Sequence, residues 1–468
     1  MKKGTISRTI VLAVVFLSSC TTHAIKKKPI DNEVWITIFV HGTISAILRR
    51  PNINTLLRLM QDSVEDSQYK RATAHIRNHE YYLKQQAVQG LGLHKIAKKD
   101  TGPGKAATAF AQIFDKQDLW LNGRKKQLNY YYTFGWSGLI SRKERYEEAK
   151  QFYTQLLQKI EPFKKQGINP KIRIVGYSHG GSMGLCLALV QKREQLEQID
   201  IDELILIGMP IHKKTIQAVN HPMFKKVVNI YSKGDSVQTL DFTLPGIFSR
   251  KFLTPTKRKP LPEKLVQIQI KTVKNRTTKK QWNKKNDPRR NTKDPIFLNG
   301  NAQLLRKMRP THCELWFFDW TRISYRKQFP LSPLPVAALL PAILKETKHH
   351  DCCKDNHLVI ELRPQHETMI VNPGTGRLAK PLFSEKKLKV LKKIARSFAV
   401  KRQPDKEYRA MVKAAIKKAV QEIKKEREKQ VSRADLIPQL EKIFHKQLLS
   451  TLTEYRIRNN RCIEVCLI

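Results

Sequence analysis

The segment Gly176-Tyr177-Ser178-His179-Gly180, followed by Gly181, leaves a chain few ways to fold around it. A β-branched run from Lys171 to Val175 leads in, and a small-residue helical stretch from Ser182 to Arg193 leads out. A serine placed between a strand and a helix, with glycines two residues before and after it, sits in a tight turn. Bulk at either glycine would hold strand and helix apart. Such a turn presents the Ser178 hydroxyl at the C-terminal edge of a sheet, over the first turn of the helix. The positive end of that helix favours a developing anion.

The rest of the chain supplies the sheet. Val34 to Val40 is a β-branched and aromatic run that reads as a buried parallel strand and ends at His41-Gly42-Thr43. Further strands are expected at Tyr130–Phe134, Leu204–Ile207, Val227–Tyr231 and Leu265–Val273. A helix over Lys143–Ile160 would carry Tyr146, Ala149, Phe152, Tyr153 and Leu156 on one side. Strands alternating with helices predict an α/β fold, a mostly parallel sheet flanked by helices. The main domain is expected over 34–320, with a polar helical insertion at 44–127 that would act as a lid and an exposed basic loop at 274–293. Residues 321–383 read as an extension of this domain. Residues 384–468 are Lys-rich with helical spacing (LKVLKKIARSF, MVKAAIKKAVQEI) and read as a separate basic helical appendix.

Candidates for chemistry follow in chain order. Asp235, in Gly234-Asp235-Ser236-Val237, comes directly after an expected strand. Two histidines come later: His312, in Pro310-Thr311-His312-Cys313-Glu314, and His366, in Arg363-Pro364-Gln365-His366-Glu367. His312 stands soon after the basic loop that follows the last core strand, His366 after the strand-like LVIEL, and both stay open. The order serine, acid, histidine around a G-x-S-x-G elbow resembles the α/β-hydrolase superfamily, on its lipase and esterase side, from residue 34 to about 320. The resemblance implies a serine esterase that needs no metal or organic cofactor, with lipid esters as the expected substrates. Ser178 would be the nucleophile, His312 (or His366) the general base, and Asp235 the acid that orients it. The turn His41-Gly42-Thr43 resembles the oxyanion turn of that family, which implies backbone N–H donors at Thr43 and His179. His41 reads as a brace for that turn, and Trp136 as core or pocket wall without a special role. The antiparallel first two strands usual in the family are absent from this reading.

The N-terminus carries a second resemblance. Lys2, Lys3 and Arg8 precede the apolar run Ile10–Leu17, which is shorter than the ~20 residues a membrane span needs and has the length of a signal-peptide core. Leu17-Ser18-Ser19-Cys20 resembles a bacterial lipobox, which implies a signal peptide within 1–24, lipidation at Cys20 and a membrane-anchored lipoprotein. Ordinary cleavage to a periplasmic or secreted protein is the other outcome. The six cysteines after Cys20 are sparse for a disulfide framework, and the His349–His357 cluster lacks metal-ligand spacing, so a polar loop is expected there. With 88 Lys+Arg against 40 Asp+Glu, the formal charge is +48, and an anionic partner is expected, a membrane surface rather than a nucleic acid. A hydrophobic fraction of 40% excludes a wholly disordered chain. A different class remains compatible: an inactive hydrolase-fold protein that binds an anionic membrane or polymer through its basic surface.

Overall fold

The structure, a computed structural model, describes residues 33–44, 64, 67–97, 105–123, 127–212, 215–235, 237–239, 248–253, 261–272, 309–318, 329–349, 357–363, 368–372, 380–398 and 405–430. The N-terminal segment read as an export signal, with Cys20, the basic run 274–293, His366 and residues 431–468 lie outside the described residues. The strands are β1 (Val34–Val40), β2 (Gly92–Lys95), β3 (Leu128–Gly135), β4 (Lys171–Tyr177), β5 (Glu203–Ile207), β6 (Ile211–His212), β7 (Val227–Ser232), β8 (Phe248–Ser249), β9 (Leu265–Thr272), β10 (His357–Arg363), β11 (Thr368–Asn372) and β12 (Lys380–Pro381). The helices are α1 (Gln68–Arg77), α2 (Glu80–Gln85), α3 (Lys105–Asn122), α4 (Arg142–Lys164), α5 (His179–Glu194), α6 (Thr215–Val219), α7 (His312–Trp316), α8 (Leu340–His349), α9 (Glu385–Phe398) and α10 (Asp405–Gln430).

A ten-stranded sheet runs in the order β12-β11-β10-β9-β7-β5-β4-β1-β3-β2. Every neighbouring pair from β3 to β10 is parallel, and antiparallel strands close both edges. This is an α/β architecture, a mostly parallel sheet with helices on its faces. The two faces follow from strand periodicity. Ile36, Ile38 and Val40 of β1 with Leu204 and Leu206 of β5 pack under α4 and α5. Phe39, Ile205 and Ile207, one residue out of step, pack under α3, α8 and α9. Burial on both faces explains why these strands read as continuous apolar runs.

The segment 44–127 differs from a polar helical insertion in two respects. It contains β2, a Gly-Leu-His-Lys strand without apolar alternation, which exists because the edge of β3 offers it a partner. The side-chain oxygen of Gln155 accepts the Leu93 N–H at 2.7 Å and secures β2 on its other side. It also contains α3, whose Ala106, Ala107, Phe110, Ala111 and Phe114 lie in the main core. Parallel neighbours such as β1 and β3 need a crossover connection, and α3 lies on it.

The appendix reading is corrected for α9: Leu388, Leu391 and Ala395 belong to the same core cluster as α3. The more remote α10 lies along α1, with Ala415 against Ile44 and Ile76, and with Glu422 and Glu426 paired to His75 and Arg71. No helix among the described residues is long and apolar enough to cross a membrane.

Candidate active site

From β1 the chain moves to one side for β3 and then returns to build β4, β5, β7 and β9 on the other. In open α/β sheets the carboxyl ends of strands flanking such a reversal form the binding crevice. Here those ends carry His41-Gly42-Thr43 after β1 and Ser178 after β4.

Ser178 adopts φ 53°, ψ −129°, a region that non-glycine residues rarely enter and that costs about 1–3 kcal/mol. Its neighbours explain how the strain persists. A Cβ on Gly176 would lie 2.5 Å from the Gly180 carbonyl, and one on Gly180 would lie 2.4 Å from the His41 carbonyl. The Ser178 N–H donates to Ile207 at 2.8 Å, tying the elbow to β5. His179 opens α5, where the first N–H groups have no acceptor within the helix.

The acid and the histidine meet beside the elbow. His312 Nδ1 donates to Asp235 Oδ2 at 2.7 Å, with the Asp235 side chain fully buried and the His312 side chain 13% exposed. The other Asp235 oxygen accepts the N–H groups of Val237 (3.0 Å) and Gln238 (3.3 Å), so the carboxylate is fixed before the imidazole reaches it. His312 opens the short helix α7, whose capping box joins Thr311 to Glu314. Glu314 is thereby engaged by Thr311. The Tyr177 ring lies 4.6 Å from the imidazole, and its hydroxyl donates to the His312 carbonyl at 3.2 Å. The His179 imidazole is held well below its ordinary range by burial, then by Arg145 and His312. His312 therefore lies against the residue directly before Ser178.

The turn after β1 is braced from within. His41 is buried, and its Nδ1–H donates to the Gly42 carbonyl at 2.8 Å while Nε2 accepts the Trp136 N–H at 3.2 Å. Burial holds this imidazole neutral, with its pKa lowered to about 4. Because a trans peptide points its C=O and N–H in opposite directions, fastening the Gly42 carbonyl to His41 turns the Thr43 N–H the other way. Trp136 also donates from Nε1 to the His41 carbonyl at 2.7 Å, so it clamps this turn as well as filling core. The Thr43 hydroxyl is buried without a partner.

Ser178, Asp235, His312, Thr43 and His179 thus come to one strand edge. Two contributors escaped sequence reasoning. Gly208, at φ +61°, faces the His–Asp pair so closely that a Cβ would sit 3.1 Å from both Asp235 Oδ2 and His312 Nδ1. Its position directly after the apolar run Glu203–Ile207 was the available signal. Tyr177, the variable position before the serine, carried none. Among the described residues no group of three His, Cys, Asp or Glu side chains could hold a metal ion, and Cys186 and Cys313 are free thiols.

No protein-family model, no curated protein and no solved structure matches this chain.

Proposed function

We propose that the protein is a serine hydrolase of the α/β-hydrolase type that cleaves carboxylic esters through an acyl-enzyme. The observation that carries this reading is the His312–Asp235 hydrogen bond, made at 2.7 Å between the first residue of α7 and the turn after β7, and set beside a strained Ser178. Ser178 Oγ attacks the ester carbonyl while His312 Nε2 takes its proton, then returns it to the departing alcohol. Asp235 holds the Nδ1–H tautomer and stabilises the imidazolium. The N–H groups of Thr43 and His179 receive the oxyanion, each such donor typically contributing about 10²–10³ in rate. Water then releases the acid by the same proton path in reverse.

Lipid esters are the substrate class this reading favours, with the protein exported and held at a membrane through Cys20. The charge of +48 supports an anionic surface as partner. A fluorophosphonate probe tests the reaction, since only an activated serine is labelled. Labelling of the wild type that vanishes in Ser178→Ala supports the hydrolase, and a wild type inert to the probe and to short- and long-chain esters overturns it.

A further inference from the structure

One side chain joins the serine to the histidine. Tyr177 is the last residue of β4 and is bonded through its peptide to Ser178. Its ring centroid lies 4.6 Å from that of the His312 imidazole at 33°, and its hydroxyl donates to the His312 carbonyl at 3.2 Å. The same ring stacks on Trp316 at 5.1 Å and 4°, and meets Phe317 edge-on at 5.6 Å. His312 and Trp316 are four residues apart and so share one side of α7, the side that Tyr177 covers. Trp316 is backed in turn by Phe110 of α3 at 5.4 Å, so the stack ends in the core.

α7 needs such a seat. It has five residues, and a helix of that length does not hold its own shape in water. The hydrogen bond to Asp235 fixes Nδ1 alone and leaves the imidazole able to tilt about that atom. The Tyr177 ring limits the tilt, and its hydroxyl limits sliding of the main chain. Both restraints come from the residue next to Ser178, whose own N–H is tied to Ile207 at 2.8 Å. Burial pushes the Tyr177 phenol well above its ordinary range, with Cys313 and then Asp235 adding to the shift, so the hydroxyl remains a donor. At 3% exposed, Tyr177 is closed to solvent and so to a substrate, which separates its role from binding.

We propose that Tyr177 is a positioning residue: it sets the place of the His312 imidazole relative to Ser178. That this placement serves ester hydrolysis rests on the hydrolase reading, whereas the placement itself does not.

The test uses the full chain and Tyr177→Phe, which keeps the ring and removes the hydroxyl. A displacement of about 1 Å costs on the order of 10²-fold, so with the ring still seated kcat should fall about tenfold and KM stay within about twofold. Tyr177→Leu removes ring and hydroxyl together and should lose on the order of 10²-fold. The control Tyr153→Phe breaks another buried phenol-to-carbonyl bond, Tyr153 to Glu197 at 2.7 Å, in the core layer under α4. It should lower the melting temperature by a similar few degrees while leaving kcat within about twofold. A second readout needs no substrate. The proton shared between an imidazole and a buried carboxylate gives a far-downfield line in the proton NMR spectrum, identified by its loss in His312→Gln. That line should shift or broaden in Tyr177→Phe and stay in place in Tyr153→Phe. Wild-type kcat in Tyr177→Phe, an unmoved line, or an equal loss of kcat in Tyr153→Phe overturns the positioning role even where Ser178 is labelled by fluorophosphonate. A wild type that hydrolyses no ester, with a line that still moves in Tyr177→Phe alone, removes the hydrolase reading and leaves the placement of His312 standing.

Discussion

Gly42 stands so close to Ser178 that a Cβ on the glycine would lie 2.8 Å from the serine Cβ. The same Cβ would meet the Tyr177 ring at 2.9 Å, so the turn after β1 and the elbow after β4 touch directly. Gly42→Ala must push them apart. A displacement of about 1 Å at a reacting centre loses on the order of 10²-fold in rate. Fluorophosphonate labelling should slow by about that factor while the melting temperature falls only a few degrees. Labelling at the wild-type rate would detach the turn from the reaction.

The elbow's strain yields a prediction about stability. Glycine enters positive φ freely, whereas alanine at Ser178 keeps the backbone penalty. Both Ser178→Ala and Ser178→Gly should be inactive, yet the glycine variant should be more stable than the alanine variant by about 1 kcal/mol. Equilibrium urea denaturation of the pair measures this difference, and a less stable glycine variant would contradict strain at Ser178.

The proton path predicts non-additive losses. His312→Ala should lower kcat by several orders of magnitude, and adding Ser178→Ala should reduce it little further, because such residues act as a unit. Asp235→Asn should cost about 10⁴ by presenting the wrong tautomer. His366→Ala should retain activity. A dead His366 variant beside an active His312 variant would transfer the general base to His366.

Much of this arrangement was legible because its signals are local. The runs Val34–Val40 and Ile172–Val175 are buried on both faces, so their β-branched and apolar content marks them as parallel strands. Ser178 and Asp235 each carry a short-range signature, a glycine elbow and a strand-end Gly-Asp, whereas the sequence alone left His312 and His366 both open. What escaped depends on partners distant in sequence. The pairing of β2 is dictated by β3, and the burial of α9 by α3, neither of which its own residues announce. Trp136 looks like any core tryptophan until His41 is seen to need its two N–H groups.

The last prediction concerns two buried groups whose titrations oppose each other. Burial lowers His41 from 6.5 to about 4, so the folded protein refuses a proton that the unfolded chain accepts. That contribution is fully present above roughly pH 6.5 and is lost as pH falls toward 4, by up to about 3 kcal/mol. The shift at His179 has the same sign. Asp118 does the reverse: burial raises it from 3.8 to about 6, with Arg173 opposing and Asp115 reinforcing the shift. Arg173 is committed to Glu203 at 2.6 Å, which leaves Asp118 the surplus charge of a buried cluster. Its contribution is present below about pH 4 and is lost as pH rises through 6, by a similar amount. In the wild type the two slopes partly cancel between pH 4 and 6. Asp118→Asn keeps an oxygen for the Asn129 amide, which donates to Asp118 at 2.9 Å, but removes the ionisation. The stability of this variant relative to wild type should therefore rise by roughly 2–3 kcal/mol between about pH 4 and 7. Its own profile should expose the steeper histidine-driven loss toward acid. Urea midpoints across that range decide the matter: parallel curves for variant and wild type would mean that Asp118 does not ionise against burial.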